Sequence, residues 1–329
     1  MRNYYIFKSG RLRRKDNTVF FEYFEDGKEN RVVIPVEDVD SIYVFGEMEL
    51  NTHLIHFFSK HHIVFHFYNY YGWYDGSFYP KEHLISGDLI VKQVMHYVDI
   101  DKRLVLAKEF VLGAIHGMIN NLKRYIDKTE KTIGLLEKFK DLISEQSGIS
   151  ELMGIEGNCR EAYYGEFTNI IKAEVEFEKR VKHPPDNMLN ALISFVNGVI
   201  YAEVLKEIYR TQLNPAISYL HEPLERRFSL SLDIAEIFKP IYGDRIIFDL
   251  LNNGKLKKKH FDKDLNYAYL KEEGRKIVIQ AFDEKLKTTV YHKQLKRRVS
   301  YLRIIRLELY KLIKHLLGEK IYRSFKIWH

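Results

Sequence analysis

Residues 214–240, NPAISYLHEPLERRFSLSLDIAEIFKP, decide how the chain is interpreted. The stretch has one histidine, His221, followed by two carboxylates, Asp233 and Glu236, inside an apolar run. Their i,i+3 spacing predicts that the two carboxylates share one face of a helix. The buried side of that helix is predicted to consist of Leu230, Leu232, Ile234, Ile237 and Phe238.

Carboxylates on such an apolar helix are costly to bury unless a cation meets them. A divalent metal is one candidate cation. The alternative is a set of salt bridges to Lys239, Arg226 or Arg227, which lie nearby in the sequence. The spacing alone leaves both alternatives open.

A second acidic signal, Glu156, stands between Ile155 and Gly157, about 65 residues before His221. Alone, this glutamate would be an ordinary solvated helix residue and His221 an ordinary packed histidine. Together with Asp233 and Glu236 they supply one imidazole and two or three carboxylates, a set that suits Mg²⁺ or Mn²⁺ better than tetrahedral zinc. Such an ion can stabilise charge on a phosphoryl oxygen and activate an attacking hydroxyl or water. The two stretches are therefore predicted to meet around a metal and to cut or join nucleic acid.

The distribution of charge favours a polyanionic partner. The 329-residue chain has a net charge of +7, and the part from Lys255 onward contains 21 Lys and Arg against 8 Asp and Glu. Such an asymmetry favours nucleic acid over membrane, although a solvated basic face is the alternative. The residues predicted to contact nucleic acid are Arg160, Asn187, Asn190, Arg226, Lys257, Lys258, Lys259, Lys296, Arg297 and Arg298.

Other features narrow the class of protein. The single cysteine, Cys159, excludes an internal disulfide framework and a cysteine-rich zinc site, and is expected to be a packed small side chain. No Walker-type phosphate loop and no motif for a serine or cysteine nucleophile stand out. No apolar run of about 18 residues is expected to span a membrane, and the first residues lack the apolar core of a signal peptide. We therefore expect a cytoplasmic protein without a membrane partner.

Hydrophobic periodicity predicts an α+β protein with a β-sheet domain followed by a larger helical domain. Residues 1–86 contain aromatic and β-branched runs separated by turn signals, with one helix at 52–60 whose N-cap is Asn51 or Thr52. The predicted divisions are 1–86 for the β domain, 87–100 for a linker and helix entry, and 101–329 for the α-helical catalytic domain. Within the last part we expect helices throughout, except a strand or loop near 275–279, with a basic amphipathic segment at 288–317.

The segment between the two acidic stretches contains Pro184 and Pro185, followed by Asp186 and Asn187. The prolines stop one helix and Asp186 or Asn187 can cap the next. A helix corner explains the prolines sufficiently. The corner does not explain the two asparagines at i,i+3, Asn187 and Asn190, which could hydrogen-bond either a phosphate or a neighbouring loop.

Four of these motifs, taken in order, make the chain resemble the CRISPR-associated adaptation integrases, the first-numbered Cas protein family. The N-terminal sheet and first long helix fit as well, and residues 10–18 (GRLRRKDNT) resemble the type I-B branch. The four motifs are Ile155-Glu156-Gly157, Pro184-Pro185-Asp186-Asn187 with Asn190-Ala191-Leu192-Ile193-Ser194, Asn214-Pro215 up to His221, and Ser231-Leu232-Asp233-Ile234-Ala235-Glu236.

The resemblance implies Mn²⁺ or Mg²⁺ ligands at Glu156, His221 and Glu236, with Asp233 a supporting or occasional ligand. Glu236 stands where the family commonly has aspartate, and its longer side chain preserves the charge but changes the reach of the ligand. It also implies a homodimer formed through the β domain and a complex with the second Cas adaptation protein. The implied reaction inserts foreign DNA fragments into a CRISPR array, the 3′-hydroxyl of the fragment attacking a phosphodiester of the repeat. The competing hypotheses are a non-enzymatic nucleic-acid-binding protein and a metal-dependent nuclease that acts mainly on branched DNA or RNA.

Overall fold

The computed structural model describes residues 2–81, 84–182, 184–223, 228–264, 267–292 and 295–327. Its first part is built from strands and its second mainly from helices, which confirms the predicted α+β class. The strands are Arg2–Ile6 (β1), Gly10–Lys15 (β2), Thr18–Glu25 (β3), Lys28–Pro35 (β4), Val39–Val44 (β5), Met48–Glu49 (β6), Val64–Tyr68 (β7), Tyr74–Phe78 (β8), Phe261–Asp264 (β9), Tyr267–Leu270 (β10), Thr289–His292 (β11) and Arg297–Ser300 (β12). The α-helices are Thr52–Lys60 (α1), Gly87–Val98 (α2), Ile100–Leu122 (α3), Ile126–Leu142 (α4), Ile149–Gly165 (α5), Phe167–Ile170 (α6), Met188–Tyr209 (α7), Ser229–Phe238 (α8), Arg245–Asn252 (α9), Glu272–Lys287 (α10) and Tyr301–Leu316 (α11).

The N-terminal strands form two sheets. One has the order β1-β5-β7-β8, with β1, β5 and β7 parallel and β8 antiparallel to β7. The other has the order β4-β3-β2-β6. Helix α1 begins as predicted at Thr52, because the Asn51 side chain accepts a hydrogen bond from the Leu54 amide at 2.9 Å.

Strand β5 carries the connection between the two parts. Its side chains alternate between the two faces of the sheet, as strand geometry requires. Ile42 and Val44 pack into a small core with α1, whereas Tyr43 and Phe45 pack into the large core of the helical part. The change from strands to helices comes at α2, where Ser86 is the N-cap. The position of this change agrees with the boundary predicted near residue 86, while the division into domains stays a prediction.

Helix α3 is the scaffold for the rest of the chain. It is buried on nearly all sides and packs against α4, α5 and α8. At its C-terminal end, the Asn121 side-chain amide donates to the Tyr163 hydroxyl of α5 at 2.8 Å and to the Pro240 carbonyl after α8 at 2.7 Å. One buried side chain therefore ties α5 and α8 together across α3.

Helix α7 is the one helix among the described residues that is long and apolar enough to cross a membrane by length and composition. However, 72% of its most apolar window is buried within the protein. Its C-terminal half carries Lys206, whose ammonium is fully buried against Glu203 and lies 3.1 Å from Asp40 of the N-terminal part. Helix α7 is thus a core helix that binds the sheets to the helical part.

The C-terminal quarter differs most from the prediction. Residues 275–279, expected as a strand or loop, lie inside α10, and the real strands form two short antiparallel hairpins, β9–β10 and β11–β12. The predicted helix at 288–317 begins only at Tyr301, where Ser300 caps it. Each of these strands has four residues, too few for a two-residue alternation to stand out from the surrounding helical pattern.

Candidate metal centre

Asp233 organises the loop that carries His221. Its carboxylate is fully buried on α8 and accepts four hydrogen bonds. One oxygen, Oδ2, accepts from the backbone amides of Tyr219 at 2.6 Å and Leu220 at 3.0 Å. The other, Oδ1, accepts from the His221 amide at 2.9 Å and from its Nδ1 at 2.8 Å. Because a carboxylate can only accept, Nδ1 is the donor, and in the neutral imidazole Nε2 is then the acceptor nitrogen.

Glu236 lies one turn further along α8 and is nearly buried. Its two carboxylate oxygens accept hydrogen bonds from Arg160 Nη2 and from Lys239 Nζ. Burial by itself would raise the pKa of Glu236, but Lys239 and Arg160 outweigh it and hold the pKa of this carboxyl well below its usual range. Glu236 is therefore ionised wherever the protein is folded near neutral pH.

Glu156 approaches the same point from α5. Its Oε1 accepts from Arg160 Nε at 2.8 Å, one helical turn along the same helix. Arg160 thus donates to Glu156 and Glu236 at once and joins α5 to α8. The two glutamates, 80 positions apart in the chain, share a single guanidinium.

A second buried carboxylate lies behind this arginine. Asp244 is 1% exposed, and burial raises its pKa to about 6 although Arg160 attracts its charge. Its Oδ2 and the Nη1 of Arg160 are both buried without a hydrogen-bond partner in the described chain. Lys182 also faces the two glutamates, and burial lowers its pKa. Sequence reasoning missed both Asp244 and Lys182, since neither has a telling spacing to His221.

The side chains of Glu156, His221 and Glu236 suit a hard divalent cation, but in this structure each is hydrogen-bonded to another side chain. Among the described residues, no three His, Cys, Asp or Glu side chains are placed together so as to hold an ion. The salt bridge from Lys239 to Glu236 is the alternative that the sequence had left open. Even so, two carboxylates and an imidazole have the chemistry of a Mg²⁺ or Mn²⁺ site. Arg160 and Lys239 neutralise the same negative charge that an ion would.

The residues predicted to contact nucleic acid differ in how accessible they are. Lys257, Lys258 and Lys259 are exposed around a 3-10 turn, and Lys296, Arg297 and Arg298 are exposed on the β11–β12 hairpin, so both basic groups are accessible. Arg226 lies outside the described residues. Arg160 is buried between the glutamates and presents no free face to a phosphate.

The two asparagines at the start of α7 serve the fold. Asn187 is the N-cap of the helix, its Oδ1 accepting from the Asn190 amide at 2.9 Å. Asn190 is fully buried, and its amide donates to the Lys179 carbonyl at 3.0 Å and to Asp186 at 2.7 Å. The prediction that Asn190 contacts nucleic acid is therefore wrong, and the alternative of a neighbouring loop is confirmed. Cys159 is buried as expected.

The protein-family model of CRISPR associated protein Cas1 matches residues 4–284. The chain belongs to the Cas1 family. A relative from Thermodesulfovibrio yellowstonii, named CRISPR-associated endonuclease Cas1 3, is 53% identical over 331 aligned positions and covers all of both chains. The family assigned from four motifs is thus confirmed, and with it the assignment to a family of endonucleases.

Solved structures agree with this fold. A Cas1 protein from Thermotoga maritima superposes with a TM-score of 0.88 at 42% identity, covering 98% of this chain and 99% of its own. A casposase bound to an integration product has a TM-score of 0.86 at 19% identity, over 99% of this chain and 93% of its own. A Cas6-RT-Cas1–Cas2 complex has a TM-score of 0.83 at 16% identity, over 99% of this chain and 36% of its own. The latter two share the fold with this Cas1-family chain.

Proposed function

We propose that the chain is a Mg²⁺- or Mn²⁺-dependent DNA endonuclease and integrase that inserts foreign DNA fragments into a CRISPR array. The observation that carries the proposal is the meeting of Glu156 and Glu236 at one arginine, beside His221. The ion would be held by these three side chains. Asp233 acts as a positioning residue, because its oxygens are taken up by four donors.

A bound divalent ion would supply Lewis-acid stabilisation of the phosphodiester and activation of the attacking hydroxyl. The chain's own residues prepare for it. Asp233 holds the Nδ1 proton of His221, which leaves Nε2 of the neutral imidazole as the nitrogen that would bind the ion. Glu236 stays ionised because of Arg160 and Lys239, so a cation need not displace a proton from it. No protein nucleophile is required, since a DNA hydroxyl or water can attack.

The test substitutes Glu156→Gln and Glu236→Gln separately and measures both Mn²⁺ binding by calorimetry and plasmid nicking with and without chelator. We expect both variants to lose Mn²⁺ binding and nicking while remaining folded. Glu161→Gln is the matched control, since Glu161 is exposed on the same helix α5. Wild-type nicking in either glutamate variant, or chelator-resistant nicking by the wild type, would overturn the ligand assignment.

The partners follow from the proposed reaction. We propose that the chain acts in the cytoplasm on a foreign DNA fragment and a CRISPR repeat, as a homodimer in complex with the second Cas adaptation protein. The exposed groups Lys257–Lys259 and Lys296–Arg298 would contact the phosphates. The fold shared with a casposase and with a Cas1–Cas2 complex is consistent with these partners. Membership of the type I-B branch rests on residues 10–18 and stays a prediction.

One alternative keeps a specific observation in its favour. The salt bridge between Lys239 and Glu236 is what a non-enzymatic nucleic-acid-binding protein would need to satisfy its buried carboxylate. Such a protein would bind DNA and show no dependence of strand cleavage on divalent ions. A panel of duplex, branched DNA and RNA substrates, run beside the nicking assay, distinguishes a general nuclease from an integrase.

A further inference from the structure

A polar cavity of about 290 Å³ opens between the C-terminal end of α3, the segment after α6, and α9. It lies on a face that the predicted nucleic-acid contacts do not include. Four of the lining side chains are Arg124, Lys172, Arg245 and Asn121, and the remainder of the wall is Tyr125, Phe248, Asp249, Asn252 and Asn253. The cavity therefore combines cations and amides, the groups that bind a phosphate.

The cations around this cavity lack carboxylate partners. Among the described residues, no acidic side chain forms an ion pair with the exposed Arg124 and Lys172 or with the half-buried Arg245 and Lys285. The buried Arg103, Arg160 and Lys206, in contrast, each have a carboxylate partner. Arg245 donates through Nε to Asn121 at 2.7 Å, but its Nη2 is buried without a partner. A buried donor without an acceptor is costly, and an anion in the cavity would satisfy it.

The charged side chains around the cavity are mostly cationic. Burial lowers the pKa of Arg245, and the charge of Arg124 lowers it further. Lys285 of α10 faces the same two arginines; burial and their charges lower its pKa to about 8. Asp249 is the one acidic side chain of the wall, and it is engaged by Asn253 at 2.7 Å and Lys255 at 3.2 Å. Positive charge thus dominates the space that Arg124 and Arg245 enclose.

Hydrogen bonds also join the cavity wall to α5, which carries Glu156, and to the segment that follows α8, which carries Glu236. Asn121, which accepts from Arg245, donates to the Tyr163 hydroxyl of α5 and to the carbonyl of Pro240, two residues after α8 ends. The helices that carry Glu156 and Glu236 therefore meet at the wall of the cavity. A DNA strand leaving the metal centre over this face would meet Arg124 and Lys172, which are exposed.

We propose that Arg124, Lys172 and Arg245, assisted by Lys285, form a site for a backbone phosphate of DNA outside the reacting phosphodiester. The proposal rests on the proposed function in that it takes DNA as the substrate. The site needs no metal and no base contact, because cations neutralise phosphates irrespective of sequence. It anchors the strand at a fixed distance from Glu156 and Glu236.

The experiment measures binding of a fluorescein-labelled DNA duplex with single-stranded ends, in chelator, over a series of salt concentrations. The pocket variant is Arg124→Gln combined with Lys172→Gln; both side chains are exposed, so the fold is not at risk. Each lost phosphate contact should reduce the slope of log affinity against log salt by about 0.7–0.9. The control, Lys15→Gln combined with Lys60→Gln, removes the same charge from exposed positions of β2 and α1.

A slope reduced by about 1 or more in the pocket variant and unchanged in the control supports the site. An unchanged slope in the pocket variant, or an equal reduction in the control, overturns it. In parallel, phosphorus NMR measures the binding of inorganic phosphate to the wild type and to the pocket variant. If only the wild type binds phosphate while the two proteins have the same salt slope for DNA, the cavity binds a free anion and the DNA assignment is wrong. The Glu156→Gln protein should lose cleavage but keep the wild-type slope of log DNA affinity against log salt. An error in the phosphate-site proposal and an error in the metal-site proposal therefore give different results.

Discussion

Substituting Asp233 by Asn tests whether this carboxylate positions His221. Asp233 accepts four hydrogen bonds with no exposure to solvent, so an amide of the same shape cannot replace it. If the new NH₂ group faces His221 Nδ1, the imidazole must accept there and its proton moves to Nε2. If the NH₂ group faces the amides of Tyr219 and Leu220, two backbone donors lose their acceptor and the loop shifts.

The cost of either arrangement in free energy of unfolding can be estimated. Each buried donor left without an acceptor costs about 1–3 kcal/mol, so Asp233→Asn should lower the free energy of unfolding by about 2 kcal/mol or more. Asp233→Ala leaves three backbone amides without acceptors and should cost about 3 kcal/mol or more. Loss of the partner that orients a metal-ligating histidine costs about 10–100-fold in metal affinity.

Denaturant unfolding measures the stability of the variants, calorimetry measures their Mn²⁺ affinity, and nitrogen-15 NMR of His221 reports its tautomer. Asp88→Asn is the control, since Asp88 is exposed on α2 and forms an ion pair with Lys92. An Asp233→Asn protein with wild-type Mn²⁺ affinity, the proton still on Nδ1 and unchanged stability would refute the positioning role.

Two other predictions concern stability. Burial and neighbouring arginines lower the pKa of Lys285 to about 8 in the folded protein. Between that pH and the higher pKa of a lysine in the unfolded chain, the unfolded chain binds more protons, so the free energy of unfolding should rise with pH. Lys285→Met should flatten this rise, which denaturant midpoints measured across the range would show. Gly117 of α3 lies where an added Cβ would be 3.0 Å from the proline after α8, so Gly117→Ala should destabilise by about 1–3 kcal/mol. Gly134→Ala, at an open position of α4, should instead stabilise by about 0.5–1 kcal/mol; the two melting temperatures moving in the same direction would contradict the packing argument.

Local signals predicted the local elements of the N-terminal part well. The helix at 52–60 has both a capping asparagine and apolar residues at helical spacing, so its bounds could be predicted closely. The strands of the C-terminal quarter escaped prediction because each hairpin is short and lies between two helices. Their pairing is a tertiary fact that a window of sequence does not contain.

The candidate site divides in the same way. The i,i+3 pair on α8 and the helical position of Glu156 could be predicted from spacing, because helix geometry alone fixes them. That Asp233 points back to His221, and that Arg160 lies inside the site, depends on how α5 and α8 pack on α3. Arg160 was predicted to contact nucleic acid, and its position four residues after Glu156 is a spacing that solvated helix faces share.

The net charge of the candidate metal centre determines under which conditions metal binding should be measured. Glu156 and Glu236 are balanced by Arg160 and Lys239, and in the same count Lys182 offsets the buried Asp244. Asp233 then leaves one negative charge beside His221. A divalent ion added to this set produces one excess positive charge in a partly buried place, which is unfavourable until an anion arrives. A phosphodiester carries the one negative charge required. Metal and DNA should therefore each raise the affinity of the centre for the other, as binding reciprocity demands. A weak Mn²⁺ affinity of the protein alone would follow from the balanced carboxylates, and the loss caused by Asp233→Asn has to be measured with DNA present as well as without it.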